Sequence, residues 1–221
     1  MLLGFEINNL FGIKTGSKMK NESIIRTALI ENTTRLIGEG GFEKSTTNAI
    51  VHDGTSDIGI KLNEVYIYRI FGSKERLYAE VFSELDDELF STVGAALNVF
   101  ERKDLAFRER LRLLFDHLWR FLLGNEIKTR CYVRYFYSMY YREKSHREHR
   151  KKLEAAAQRF APAFNADCNV SALIHAVFMT MLDFAIQVHN GDLNDSEDTT
   201  YHVFNLLYHS IYSYLSEDLK N

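Results

Sequence analysis

Two stretches of this 221-residue sequence place hydroxyl or ammonium groups at the start of a predicted helix. Ser45 and Thr46 precede a short apolar helical pattern, and both are residue types that cap helix N-termini. Lys74 follows Ser73, which is placed to cap a longer helix. Unpaired backbone N–H groups and the helix dipole make such N-termini favourable for anions. These residues therefore predict contacts to phosphate-like groups.

The apolar spacing places these stretches among short helices. Residues 21–39 predict a first helix, and a second begins at Ser45–Thr46. Asn63 can cap a third helix that stops at Gly72, and a long fourth helix continues to about residue 100. No segment alternates as a strand does. Helical patterns then follow over residues 105–123, 127–160, 170–188 and 196–215, which predicts an all-α fold.

The runs Gly41–Thr46 and Tyr68–Tyr78, with Ile50 between them, resemble the N-terminal signature of TetR-family transcriptional regulators. The resemblance covers about residues 21–85. It implies a helix-turn-helix DNA-binding domain over residues 21–72 and a helical ligand-binding and dimerisation domain over residues 73–221. Residues 1–20 are then an N-terminal extension, which we expect to be disordered. The sequence departs from the family between His52 and Lys61, where the turn is longer by about six residues.

A helix-turn-helix places its second helix in the major groove while neighbouring groups hold phosphates. The phenol of Tyr68 is therefore a further phosphate donor, and Arg69 can address either guanine or phosphate. Ile67 and Phe71 are expected in the core, whereas Tyr66 fits the core and the reading face equally well. The predicted phosphate contacts are Ser45, Thr46, Tyr68 and Lys74, and the predicted base-reading residues are Asn63, Glu64, Val65, Tyr66 and Arg69.

The second half of the chain is rich in aromatic residues on helices, which suits an apolar pocket for a small aromatic or apolar effector. The family resemblance implies such a pocket and a homodimer built from the last two helices. The predicted pocket residues are Trp119, Tyr137, Phe178 and Asp183. The predicted dimer residues are Leu173, Val177, Met181, Phe204, Leu207, Tyr208, Ile211 and Leu215.

Composition narrows the function classes. The formal net charge is −3, and residues 18–80 hold nine basic and nine acidic side chains, so affinity for DNA would come from placement rather than excess charge. The two cysteines form no disulfide framework, which favours the cytoplasm. His146 and His149 lack a third ligand, so we expect no metal and no cofactor. Residues 1–10 read neither as a signal peptide nor as a membrane span, and no membrane partner is expected.

Three functions remain in order of support. The first is a ligand-responsive repressor that binds a pseudo-palindromic double-stranded DNA operator as a dimer. The second is a helical ligand-binding or scaffold protein that has lost specific DNA binding, because the local charge is balanced and the turn is long. The last is an all-helical enzyme, for which the sequence contains no catalytic motif.

Overall fold

The structure is a computed structural model, and it describes residues 7–52, 60–100, 102 and 104–220. Within those ranges the regular elements are helical, and the only β-type pairing is an isolated bridge between Phe164 and Leu215. The predicted all-α class is confirmed. The helices are α1 (Ile7–Gly40), α2 (Thr47–His52), α3 (Glu64–Phe71), α4 (Lys74–Phe100), α5 (Phe107–Gly124), α6 (Glu126–Phe136), α7 (Glu143–Phe160), α8 (Val170–Asn190) and α9 (Glu197–Tyr212), with 3₁₀ turns at Ala161–Ala163 and Glu217–Leu219.

The first helix is longer than the sequence pattern predicts. It begins at Ile7 rather than at residue 21, so the backbone of residues 7–20 is helical where we expected a disordered extension. No proline interrupts this stretch, and a helix propagates easily once it has been nucleated. The remainder of the expected extension, residues 1–6, lies outside the described residues.

A single predicted helix over residues 127–160 is divided in two. Helix α6 ends at Phe136 and α7 begins at Glu143, although neither glycine nor proline lies between them. Local hydrogen bonds replace the helical ones there: the Ser138 hydroxyl donates to the Tyr135 carbonyl at 2.7 Å and accepts from the Tyr140 N–H at 3.1 Å. A serine side chain that competes for backbone groups in this way ends a helix without a breaker residue.

The chain forms two compact units, the first ending at Val81 and the second beginning at Phe82. The boundary falls inside α4, nine residues after the predicted domain boundary at residue 72. Side chains from the start of α4 pack in the first unit, because Tyr78 is fully buried and hydrogen-bonds with Ser45.

In the first unit, α3 is positioned by its buried side. Leu62, Ile67 and Phe71 are buried, as expected for the last two. Gly72 ends the helix at φ 82°, a left-handed conformation that glycine adopts without a Cβ penalty, and its N–H donates to the Tyr68 carbonyl at 2.9 Å. Ser73 then caps α4, since its hydroxyl accepts from the Arg76 N–H at 3.2 Å.

In the second unit, α8 is the central helix and contacts α5, α6, α7 and α9. It is also the one described helix that is long and apolar enough, by length and composition alone, to cross a membrane. Only 17% of that apolar window is buried among the described residues, so α8 contacts four helices of the second unit and still leaves apolar surface uncovered.

Candidate nucleic-acid interface

The outward face of α3 brings together most of the predicted base-reading residues. Asn63, Glu64 and Arg69 are exposed, and Val65 is 67% exposed. Tyr68, at 53% exposure, lies one turn after Val65 on the same face. A valine and a tyrosine exposed side by side on a short helix form an apolar surface rimmed by polar groups, which suits contact with a partner.

Asn63 precedes α3 in an extended conformation and makes no capping hydrogen bond with its side chain. Its amide therefore keeps both donor and acceptor capacity toward an external partner. Tyr66 is half-buried, so its exposure lies between that of a core residue and that of a residue on the reading face, the two positions that the sequence allowed.

The guanidinium of Arg69 is held by two groups of the same unit. It lies over the Tyr66 ring at 4.7 Å from the centroid, and one of its nitrogens is 3.8 Å from a Glu22 carboxylate oxygen. A planar cation stacked on an aromatic ring loses little freedom when it next binds a carbonyl or a phosphate. The pair with Glu22 is exposed, so exchanging it for an external partner costs about 1 kcal/mol or less.

The prediction for Ser45 was wrong as far as its hydroxyl is concerned. Ser45 is fully buried, and its hydroxyl lies 2.6 Å from the Tyr78 hydroxyl and donates to the Phe42 carbonyl at 3.0 Å. The Tyr78 hydroxyl also donates to the Ser45 carbonyl at 2.8 Å. Ser45 therefore fixes the start of α2 against α4 instead of facing a phosphate.

Thr46, not Ser45, caps α2, because its hydroxyl accepts from the Ala49 N–H at 3.1 Å. Thr46 is exposed at the helix start. The other end of α2 is fixed by Asn32, whose buried amide donates to the Ile50 carbonyl at 2.9 Å. Sequence reasoning missed Asn32, and its signal was an amide inside an otherwise apolar helical stripe.

Lys74 lies at the start of α4, half-buried, with its ammonium 5.7 Å from the centroid of the Tyr78 ring. The aromatic face holds the lysine stem while the ammonium remains at the helix N-terminus. Of the long predicted turn, residues 53–59 lie outside the described residues, so its effect on α3 remains a prediction.

Comparison with known proteins gives the fold. No protein-family model matches the sequence, and no curated protein is similar to it. A TetR family transcription regulator from Marinobacter aquaeolei VT8 superposes with a TM-score of 0.68 at 18% identity, covering 87% of this chain and 97% of that chain. The chain has the TetR fold.

Two further solved structures share this TetR fold. A TetR-like transcriptional regulator from Rhodococcus sp. RHA1 has a TM-score of 0.61 at 14% identity and covers 86% of this chain and 96% of its own. SmeT, the repressor of the Stenotrophomonas maltophilia multidrug efflux pump SmeDEF, has a TM-score of 0.60 at 13% identity, with 88% and 92% covered. All three proteins are transcription regulators or repressors.

The second unit of this TetR fold contains a cavity of about 130 Å³ whose lining residues are all apolar. Phe178, one of the four predicted pocket residues, lines it. The other three do not. Trp119 lines a separate pocket of about 490 Å³ together with Thr200, whose hydroxyl accepts from the indole N–H at 3.1 Å, and Tyr137 and Asp183 are exposed.

Most of the predicted dimer residues also lie inside the chain. Leu173, Val177, Met181 and Ile211 line the cavity. Met181 and Ile211 are buried there, Leu173 and Val177 are half-buried, and Tyr208 is half-buried on α9. The apolar arc of α9 contacts α5 and α8 of the same chain, but most of the apolar window of α8 is unburied, so a dimer that uses the last two helices remains a prediction. The others, Phe204, Leu207 and Leu215, are core residues of the second unit.

Within the described residues, no group of three His, Cys, Asp or Glu side chains could hold a metal ion. The two histidines that the sequence suggested as metal ligands lie in different environments. His146 is exposed, whereas His149 is buried with its Nδ1 2.8 Å from an Asp86 carboxylate oxygen.

Proposed function

We propose that this chain is a cytoplasmic DNA-binding transcription regulator, most simply a repressor, that binds a pseudo-palindromic operator as a homodimer and responds to a small apolar effector. The observation that carries the proposal is the outward face of α3, where Val65, Tyr68 and Arg69 are exposed on a helix whose opposite side is fully buried. A helix held in this way, with a short second helix before it, is what major-groove reading requires.

Within this proposal, Asn63, Glu64, Val65 and Arg69 read base edges, and Tyr66 orients Arg69 by stacking. Tyr68, Thr46 and Lys74 contact phosphates, which positions the domain without reading sequence. Lys74 supplies charge where the local balance of residues 18–80 supplies none.

The test is fluorescence anisotropy of the full chain with duplex DNA from upstream of its own coding region, titrated with salt. Lys74→Ala should weaken binding to all sequences and reduce the slope of log affinity against log salt by about 0.9. Arg69→Ala should cost about 1–3 kcal/mol of discrimination if Arg69 reads a guanine, and none if it contacts a phosphate. Lys151→Ala is the matched control, since it removes an exposed lysine of the second unit.

Binding no tighter than to random duplex, across several upstream fragments, would remove the proposal. The alternative function, a helical ligand-binding protein without specific DNA binding, would then be favoured, since the cavity does not depend on DNA.

The dimer, in this proposal, uses the outer face of α9 rather than the residues predicted from sequence. Tyr201, Leu206 and Tyr212 are exposed there, although each is large and partly apolar. These side chains flank a polar stripe that contains exposed His202 and His209, and a mixed surface of this kind on a C-terminal helix suits a two-fold interface with a second copy. Leu206→Glu should shift the chain from dimer to monomer in sedimentation velocity, whereas Lys151→Glu should not. A monomer in the unmodified protein would contradict this assignment.

A further inference from the structure

A buried polar network lies next to the apolar cavity in the second unit. The Asp86 carboxylate, 1% exposed, accepts from Tyr132 Oη at 3.1 Å and from Lys152 Nζ at 2.9 Å. His149, 4% exposed, places its Nδ1 2.8 Å from the same carboxylate. Because a carboxylate only accepts, we assign the Nδ1 of His149 as a donor. The other ring nitrogen, Nε2, is then an acceptor in the neutral imidazole.

That second nitrogen has no hydrogen-bond partner among the described residues, and neither has the buried hydroxyl of Tyr141. The Tyr141 ring is 6.5 Å from the His149 ring. Burial, with the nearby Asp86 charge, raises the pKa of Tyr141 to about 12, so its hydroxyl stays protonated and can donate. Buried polar atoms without partners are few in native proteins, and two of the three among the described residues lie in this one aromatic cluster, the third being Arg110 Nε, so both atoms have capacity to pair with a bound polar group.

The cavity lies close to this pair, although neither His149 nor Tyr141 lines it. Phe90 lines the cavity and its ring is 5.6 Å from the His149 ring. Leu153, one helical turn after His149 on α7, and Phe178, whose ring is 6.3 Å from that of Tyr132, line the cavity as well. Phe90 is half-buried and contacts both the cavity and the His149 ring, so a change of its rotamer is the step that would join the cavity to the two polar atoms.

We propose that this site binds a small uncharged molecule with an apolar body and one hydroxyl, a phenol or a short alcohol. The body fills the cavity, and the hydroxyl donates to His149 Nε2 and accepts from the Tyr141 hydroxyl. This molecule would be the effector of the proposed regulator. Only its effect on DNA binding rests on the proposed function, whereas its binding to the second unit does not.

Size and charge both select this class. The cavity, about 130 Å³, is close to the apolar cavities of about 150 Å³ that accept benzene, so it has room for one ring, and a substituent has to extend toward the half-buried Phe90. A carboxylate is disfavoured, because the cavity lining holds no cation and the buried Asp86 carboxylate is on the other side of the imidazole.

Three probes that share an ethyl-substituted ring separate the contributions of the ring, the hydroxyl and a negative charge to binding. They are 4-ethylphenol, ethylbenzene and 4-ethylbenzoate, each titrated by calorimetry or ligand-observed NMR into the full chain without DNA. The unmodified protein should bind 4-ethylphenol about tenfold or more tighter than ethylbenzene, and should bind 4-ethylbenzoate more weakly than either. Val177→Phe, which fills the cavity, should weaken 4-ethylphenol and ethylbenzene alike.

Tyr141→Phe is the decisive variant, because it removes a hydroxyl that has no hydrogen-bond partner in the described part of the chain and so should leave the melting temperature unchanged or higher. It should reduce the preference for 4-ethylphenol over ethylbenzene several-fold and leave ethylbenzene affinity as it is. Tyr135→Phe is the matched control, since the Tyr135 hydroxyl already donates to the Tyr140 carbonyl at 2.9 Å. That variant should lose stability and keep the preference.

Equal affinity for 4-ethylphenol and ethylbenzene would overturn the proposal, and so would tightest binding of 4-ethylbenzoate. An unchanged preference in Tyr141→Phe would do the same. Because DNA is absent, these results are independent of the anisotropy experiment, and either proposal can fail alone.

Discussion

Replacing Tyr78 with phenylalanine tests how the start of α2 is held. The change keeps the ring packed on Phe42, 5.1 Å away between centroids, and removes one hydroxyl. That hydroxyl donates to the Ser45 carbonyl at 2.8 Å and lies 2.6 Å from the Ser45 hydroxyl. Leaving buried polar groups without these bonds should cost about 1–3 kcal/mol.

At about 2–4 °C per kcal/mol for a chain of this length, the melting temperature should fall by about 2 to 12 °C. The assay is thermal and urea unfolding followed by circular dichroism, with Ser45→Ala and the double variant completing a cycle. The coupling energy should lie between about 0.5 and 3 kcal/mol, because the two hydroxyls touch.

Tyr68→Phe is the matched control, since the Tyr68 ring is half-exposed on α3 and its loss of a hydroxyl should change stability by less than about 0.5 kcal/mol. Strict additivity of Tyr78→Phe and Ser45→Ala would refute the reasoning, because it would mean that the hydroxyl pair does not exist in solution.

Two further outcomes follow from burial and backbone geometry. Burial raises the pKa of the Cys131 thiol to about 12, so a thiol reagent at pH 8 should react only with half-exposed Cys168. Cys168 should itself react more slowly than a free thiol, because its pKa is raised as well. Reaction of both cysteines in the native protein would contradict this prediction. Gly94→Ala in α4, where a Cβ meets nothing, should stabilise by about 0.5–1 kcal/mol, whereas Gly191→Ala at φ 79° should destabilise by about 1 kcal/mol, both measured by urea unfolding. The same sign for both glycines would show that backbone conformation is not the cause.

Local chemistry was enough to predict the α3 region. Asn63, Gly72 and Ser73 are boundary residues by type, and the spacing of Ile67 and Phe71 predicts which side is buried. The burial of Ser45 could not be predicted, because it depends on Tyr78, which lies 33 residues later in the chain.

Partner and cavity residues were harder to predict for a similar reason. The sequence pattern of an apolar arc on α9 is the same whether the arc faces another copy or its own chain. Only the packing of α5 and α8 against α9 shows which residues of the arc are covered within the chain. His149 and Tyr141 lie in or beside a charged stretch of sequence, so no periodic pattern predicts that His149 is buried and Tyr141 half-buried among aromatic rings. Helix patterns carry one-dimensional information, and such sites are assembled from several helices.

The junction between α3 and α4 limits how this protein can change during evolution. Gly72 ends one helix and Ser73 starts the next, so no residue there is free of a capping role. A single inserted or deleted residue would remove a cap or rotate α3 by about 100° about its axis, turning Val65 and Tyr68 inward. Relatives should therefore vary in length before α3, where this sequence already carries extra residues between His52 and Lys61, and keep the two-residue junction at constant length.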